Sequence, residues 1–247
     1  MEFGREKRNL MLEGNIGAGK STFLKMVEAH IDANIIFEPT DKWQKIGEGE
    51  GENLLDLFYK DIKRWAYTFQ SYAFISRIQA FNELRPDQTD KPFKLMERSV
   101  YCDRYCFAKN CYEMGLMSSI EWQIYKDWFS WLAHNYAPKP SGFIYLQTTP
   151  EVCYNRLKKR NRSEESGVPL EYLKTLHARH EDWLIEKKGV EDSILAVPTL
   201  VIDVTESFEH NSLAQKEIVQ KVRAFMNGLE AQGDFVPAEI MSDKMQI

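Results

Sequence analysis

Residues 10–26 read LMLEGNIGAGKSTFLKM, an apolar run joined to a helix-like one by a glycine-rich turn. Within it, Gly14–Ser21 matches G-x-x-x-x-G-K-[ST], the loop that wraps phosphates between a strand and a helix. Gly14, Gly17 and Gly19 let the backbone bend around an anion without side-chain obstruction. Asn15, Ile16 and Ala18 complete the cradle, and Thr22 lies just beyond it. The amides and the positive end of the following helix supply the field, Lys20 contacts the outer phosphates, and Ser21 can ligate Mg²⁺. A glycine-rich turn that happens to precede a helix is the alternative; the strand–loop–helix context favours nucleotide binding.

The remaining 230 or so positions must say what the gripped phosphate is for. With 247 residues, 43% hydrophobic and 28% charged, the chain can fold as one domain with a sizeable core. Its 14 Phe, 11 Tyr and 6 Trp are enough to line a pocket as well as fill that core. A net charge of −5 argues against general nucleic-acid binding, which needs surplus Lys and Arg. Cys102, Cys106, Cys111 and Cys153 fit no zinc spacing and no small disulfide framework, so they read as buried thiols in a reducing compartment. His177 and His180, three apart on a helix without carboxylate support, read as surface residues. The opening MEFGREKRN lacks the apolar core of a signal, and no apolar run approaches the roughly 20 residues of a membrane span. The expectation is a cytoplasmic protein with neither a membrane nor a nucleic-acid partner.

Short apolar strands are expected at residues 8–13, in ANIIFEP, PFKLMERS and SGFIYLQTTP, and in PTLVIDVT. Helical periodicity fills the intervals: after Gly19, from Leu54 to about Leu84 (one long helix or two joined), and over 104–113, 120–134, 150–160 and 170–187. An acidic loop, GEGEGEN, spans Gly47–Asn53. The pattern predicts an α/β fold, a five-stranded parallel sheet covered by helices on both faces. Residues 1–227 read as one domain and 228–247 as an irregular tail.

No guanine-reading N-K-x-D stretch is present, and the third strand ends in LMERS instead of the apolar-Asp-Glu close of a motor ATPase. Glu38 and Glu97 end the second and third strands, at the edge where parallel sheets bind ligands. One carboxylate there can take a proton from an attacking hydroxyl, and the other can hold Mg²⁺. Arg98 can stabilise that base or the transferring group. RLKKRNR supplies Arg156, Arg160 and Arg162 ahead of the flexible SEESGVP; a solvated basic face is the alternative, but a lid of about 156–168 closing arginines over a phosphoryl group fits the chemistry better.

EGNIGAGKST, FEP followed by KW, TFQSYAFISRI, ERSVYCDRYCFAKN, EWQIYKDW and RLKKRNRSEESGVPLEYLKTLHARHEDWL occur in the order found in the deoxyribonucleoside kinase family, which the chain resembles over roughly Arg8–Asn227. The resemblance implies a P-loop kinase fold with an arginine-rich lid, using ATP and Mg²⁺. It implies that Glu38 is the base on the nucleoside 5′-hydroxyl, held by Arg98, with Glu97 near the metal. Tyr59 and Glu165 would hold the sugar 3′-hydroxyl, and Gln70 would pair with the base edge. Arg77 with Asp103 would close the far side of the base pocket, walled by Trp43, Phe69 and Phe107, and Ala73 leaves room near the base. Arg156, Arg160 and Arg162 would be the lid arginines. Gln70 and Arg77 are seven apart and Tyr59 eleven before Gln70, which suggests one helical face. Cys102, where many relatives carry a small polar residue, is expected to touch neither chemistry nor pocket directly.

The Arg77–Asp103 pairing resembles members that accept deoxycytidine or purine deoxynucleosides more than thymidine-preferring ones. A homodimer packed through long helices is implied as well. Two rivals share some of these features. A nucleoside monophosphate kinase of the thymidylate kinase type would need arginines where Glu38 stands, and a non-catalytic nucleotide-binding regulator would need no base, metal carboxylate and lid together.

Overall fold

A computed structural model of the chain describes residues 7–47, 51–83 and 91–233. Strands β1 (Arg8–Glu13), β2 (Ala33–Ile36), β3 (Phe93–Glu97), β4 (Gly142–Gln147) and β5 (Thr199–Asp203) form one sheet in the order β2-β3-β1-β4-β5, every neighbouring pair parallel. The helices are α1 (Lys20–Glu28), α2 (Thr40–Gln44), α3 (Leu54–Lys60), α4 (Ile62–Asn82), α5 (Val100–Cys102), α6 (Lys109–Glu113), α7 (Ser119–Asn135), α8 (Pro150–Arg160), α9 (Leu170–His180), α10 (Asp192–Leu195) and α11 (Ser212–Gly233).

Alternation along β1 builds the two layers, because successive strand side chains point to opposite faces. Leu10 and Leu12 pack with Phe23 and Val27 of α1, Leu173 of α9 and Val222 of α11. Met11 faces the other way, into a cluster with Phe74 of α4 and Phe129 of α7. Register then sets the site. Leu12 lies opposite both Glu97 and Ile144, and Ile36 opposite Met96. Gly14, Glu38, Glu97 and Arg98 therefore leave the sheet at one edge, where the strand order reverses around β1.

All five expected strands and the parallel sheet are present. The periodic stretch from Leu54 is two joined helices, broken at Asp61, whose carboxylate caps α4 by accepting from the Arg64 amide; Leu84 lies outside the described residues. Tyr59 thus sits on α3 while Gln70 and Arg77 sit on α4, so the eleven-residue spacing does not place them on one helical face. The helix expected from Arg104 starts earlier, at Val100, because the Ser99 hydroxyl accepts from the Cys102 amide. It continues through a π-helical stretch, Asp103–Ala108, and a second one, Glu181–Ile185, extends α9.

The irregular tail expected from Gly228 is overturned for its first six residues, since α11 runs on to Gly233. The reason is packing: Leu229 and Phe225 close on Gly142 so tightly that a Cβ there would lie 2.8 Å from the Phe225 ring. A domain limit at residue 227 therefore falls inside a helix; residues 234–247 lie outside the described residues. Within GEGEGEN, Ile46 and Glu52 pair across the loop's base, and residues 48–50 lie outside the described residues, as do residues 1–6. Among the described residues no helix is long and apolar enough to cross a membrane.

Candidate active site

The phosphate loop is pressed against the start of α8. Gly17 has φ +81°, and a Cβ on it would meet the Cys153 carbonyl oxygen at 2.4 Å. Helix α1 begins at Lys20 with no side-chain cap and no acidic residue in its first turn, so its amides remain available to an anion. This donor-rich, glycine-lined turn fits a triphosphate. Lys20 Nζ lies 3.1 and 2.9 Å from the carbonyls of Gly14 and Asn15. Burial first, and Arg98 second, lower its pKa to about 8. Ser21 Oγ donates to Glu97 Oε1 at 2.9 Å, placing two hard oxygen ligands together, a donor set that fits Mg²⁺.

Ile16, Gly17, Gly19, Lys20, Ser21 and Thr22 line a cavity of about 820 Å³. Gly14, Asn15 and Ala18 lie behind it. Asn15 acts as a brace: its amide donates to the Leu173 carbonyl at 2.8 Å and its oxygen accepts from the Ile16 amide at 2.8 Å.

Across the cavity stands a ladder of buried charge. Arg98 follows β3 with φ +64°, a left-handed backbone uncommon outside glycine, and this turns its side chain back over the sheet edge. Its guanidinium donates to the Gly14 carbonyl at 2.8 Å and meets Glu38 Oε1 at 3.1 Å. Arg77 meets the same oxygen at 3.1 Å, pairs with Asp103 through two bonds of 2.9 and 3.1 Å, and donates to the Glu97 carbonyl. Burial works against the Glu38 charge, but Arg98, Arg77 and Lys20 outweigh it and hold the pKa below its ordinary value. Each arginine meets Oε1, and among the described residues no hydrogen bond falls on Oε2. Glu38 is salt-bridged, yet it still lines the cavity.

The pocket's far end is aromatic and stiff. Phe69 stacks on Phe58 at 4.5 Å and meets Trp43 edge-on at 5.4 Å. The Trp43 indole donates to Ser76 Oγ at 2.8 Å, which fixes its ring. Arg98 lies over the Phe107 ring at 4.7 Å. Gln70, Ala73 and Arg77, on successive turns of α4, share the same wall with Asp103 and Tyr59.

The lid divides differently from the expectation. Arg156 is tied down within α8, donating to Ala18 of the phosphate loop at 3.3 Å and to the Val204 carbonyl at 2.7 Å, so it braces the loop instead of riding on a flap. Asn161, left-handed at φ 51°, ends α8. In the 3₁₀ turn that follows, buried Glu165 takes both Arg160 and Arg162. Its neighbour Glu164 accepts from Gln44 at 2.7 Å and Asn53 at 2.9 Å, on the two sides of the acidic loop.

The family model for deoxynucleoside kinase matches residues 10–227. The chain belongs to the deoxynucleoside kinase family. Relatives include chicken deoxycytidine kinase 2, 41% identical over 91% of this chain and 92% of that protein, and human deoxycytidine kinase, 38% identical over 92% and 94%. Mitochondrial deoxyguanosine kinase of Xenopus laevis is 39% identical over 90% of this chain and 91% of its own.

In this kinase, every side chain expected in the acceptor pocket lines the one cavity: Glu38, Trp43, Tyr59, Phe69, Gln70, Ala73, Arg77, Arg98, Asp103, Phe107 and Glu165. Sequence reasoning missed Phe58, Leu55 and Tyr172, which read as core because an apolar wall and a core residue carry the same periodic signal. It also missed the Glu164 contacts, which join segments over a hundred residues apart. Cys102 does not line the cavity, and its sulfur reaches the site only through the Arg98 guanidinium, 3.6 Å away. One expectation fails. His180 is fully buried, its ring stacked parallel to Tyr145, because α9 turns that face onto β4.

Two predictions follow from this geometry. Glu38→Gln keeps nucleoside binding while turnover falls by roughly 10²–10⁴-fold; calorimetric binding beside steady-state kinetics checks it, and near-normal turnover removes Glu38 from the chemistry. Lys20 is charged only below about pH 8 in the free kinase, whereas a bound triphosphate favours its ammonium. ATP binding at pH 8 therefore takes up about half a proton, falling toward zero by pH 6.5. Calorimetry in buffers of different ionisation enthalpy measures this, after correction for ATP's own titration by a Lys20→Arg control.

Proposed function

We propose that the kinase transfers the γ-phosphoryl group of ATP to the 5′-hydroxyl of a deoxynucleoside whose base carries an exocyclic amine, deoxycytidine or deoxyadenosine, with thymidine disfavoured. The observation that carries this is Glu38: an ionised carboxylate pinned through one oxygen by two arginines, at the cavity wall opposite the phosphate loop. Its other oxygen accepts the hydroxyl proton as the oxygen attacks. Arg98 and Arg77 keep the carboxylate aimed, and Tyr59 with Glu165 hold the sugar's 3′-hydroxyl. Lys20, Arg160 and Arg162 stabilise charge on the transferring group. Ser21 and Glu97 would hold Mg²⁺, which screens the triphosphate's charge.

Charge arithmetic separates this from phosphorylation of a monophosphate. The acceptor half sets Arg77 and Arg98 against Glu38 and Asp103, two cations against two anions, all paired. An anionic acceptor would find no unpaired cation there, whereas a neutral alcohol needs none. At the base, Asp103 offers carboxylate acceptors and Gln70 an amide that donates and accepts. An amino group on the base edge satisfies Asp103; the 4-carbonyl of thymine would oppose it.

A homodimer is part of the same proposal. On α7, Ile120, Ile124, Trp128 and Trp131 recur at four, four and three residues along one face, and they are 64%, 38%, 52% and 52% exposed. Such a stripe of large apolar side chains is the kind of surface that a second copy covers. The four unpaired, buried cysteines support a reducing, cytoplasmic setting.

Purified protein with MgATP and a panel of deoxynucleosides and their monophosphates tests the activity: product is expected from deoxycytidine and deoxyadenosine ahead of thymidine, and phosphate appearing only on monophosphates overturns the reading. Trp128→Glu combined with Trp131→Glu should halve the mass found by light scattering; an unmodified chain that is already monomeric at micromolar concentration refutes the dimer.

A further inference from the structure

Behind the phosphate loop lies a buried group that the transfer chemistry does not use. Cys102, Cys106 and His180 are all fully buried, and one ligand atom from each lies within 4.8 Å of the other two. Cys102 Sγ and His180 Nε2 are 3.6 Å apart. A tetrahedral zinc ion with Zn–S near 2.3 Å and Zn–N near 2.05 Å sets its sulfur and nitrogen ligands roughly 3.6 Å apart.

Three further features point the same way. His180 Nδ1 is bonded to the Leu176 carbonyl at 2.7 Å, which fixes the donor hydrogen there and leaves Nε2 a lone pair facing the sulfurs. That outer hydrogen bond is the usual companion of a metal-binding histidine. Glu13, fully buried at the end of β1, has its Oε1 bonded to Ser99 at 2.5 Å, while its Oε2 has no hydrogen-bond partner. Lastly, both π-helical stretches, Asp103–Ala108 and Glu181–Ile185, begin beside or within this cluster. Such turns are rare and gather at functional sites.

We propose that Cys102, Cys106 and His180 bind one Zn²⁺ or a similar thiophilic divalent ion. The ion enters during folding, since the finished site is sealed from solvent. Each thiol gives its proton to solvent as its sulfur becomes a thiolate ligand. Arg98, which already donates toward Cys102 Sγ, supports the thiolate charge. The same guanidinium holds Glu38, so the metal tethers the residue that aims the base.

Metal content provides the test. The full chain, purified without chelator and also refolded with Zn²⁺, should hold about one zinc per chain by elemental analysis. Refolding with Co²⁺ should give thiolate charge-transfer and tetrahedral d–d bands, with release of two thiol protons per ion. Cys102→Ser and Cys106→Ser should each lose these signals, while Cys153→Ala, whose thiol lies outside the cluster, keeps them. Less than roughly a tenth of an ion per chain by both routes, or metal that persists in both cluster variants, overturns the site. The cobalt spectrum of the unmodified chain decides the matter even where a variant fails to fold, and a negative result leaves the kinase reading untouched.

Discussion

The site is organised by the meeting of Glu38 with two arginines. A carboxylate so enclosed would resist ionisation if left alone, since burial disfavours its charged form. Arg98 and Arg77 reverse that and also restrict the carboxylate to one orientation. The arrangement needs Arg98 to adopt a left-handed backbone, which costs on the order of 1–2 kcal/mol. Its hydrogen bond to Gly14 is charge-assisted, contributing roughly 1.5–3 kcal/mol, and its ion pair with Glu38 adds to that, so the strained turn is retained. Because the bond to Gly14 reaches the phosphate loop itself, one side chain sets the distance between Glu38 and that loop.

The two halves of the cavity therefore carry different electrostatics. On the acceptor side, positive and negative groups balance and are locked to each other. On the donor side, Lys20 and the uncapped start of α1 present positive potential, and the lid adds Arg160 and Arg162 partly screened by Glu165. An anion is attracted to one end and a neutral, planar, hydrogen-bonding molecule fits the other. Specificity for an alcohol acceptor is thus a property of pairing between side chains and not of any one residue.

Much of this was legible in the amino-acid order, because strands buried on both faces and a phosphate loop leave local signals. Glu38 and Glu97 could be placed from strand ends alone, since a parallel sheet delivers those ends to one edge. What stayed hidden depends on long-range contact. Nothing near Arg77 in sequence says that it reaches Glu38 as well as Asp103, and nothing near Arg156 says that it braces Ala18 instead of moving with a lid. His180 looked exposed because three-residue spacing is shared by surface and core helix faces, and only the docking of α9 decides between them. Gly228 looked like a terminus, although the helix around it is held by Leu229 packing on β4.

The lid illustrates how adjacent residues of the same chemistry can serve opposite directions. Glu165 faces inward and neutralises Arg160 and Arg162, while Glu164 faces outward and is held by Gln44 and Asn53. Burial pushes the Glu164 carboxyl up, but hydrogen bonds led by Asn53 more than compensate, leaving a pKa of about 2. It remains an anion, and so a strong acceptor, throughout the neutral range. Asn53 uses its oxygen to cap α3 through the Asp56 amide and its nitrogen to bind Glu164, so the lid is fastened to the helix that carries Tyr59. Gln44 follows Trp43 on α2. A rotation of the short 3₁₀ turn would thus act at once on Arg160 and Arg162 and on the segments that carry Trp43 and Tyr59 to the cavity wall.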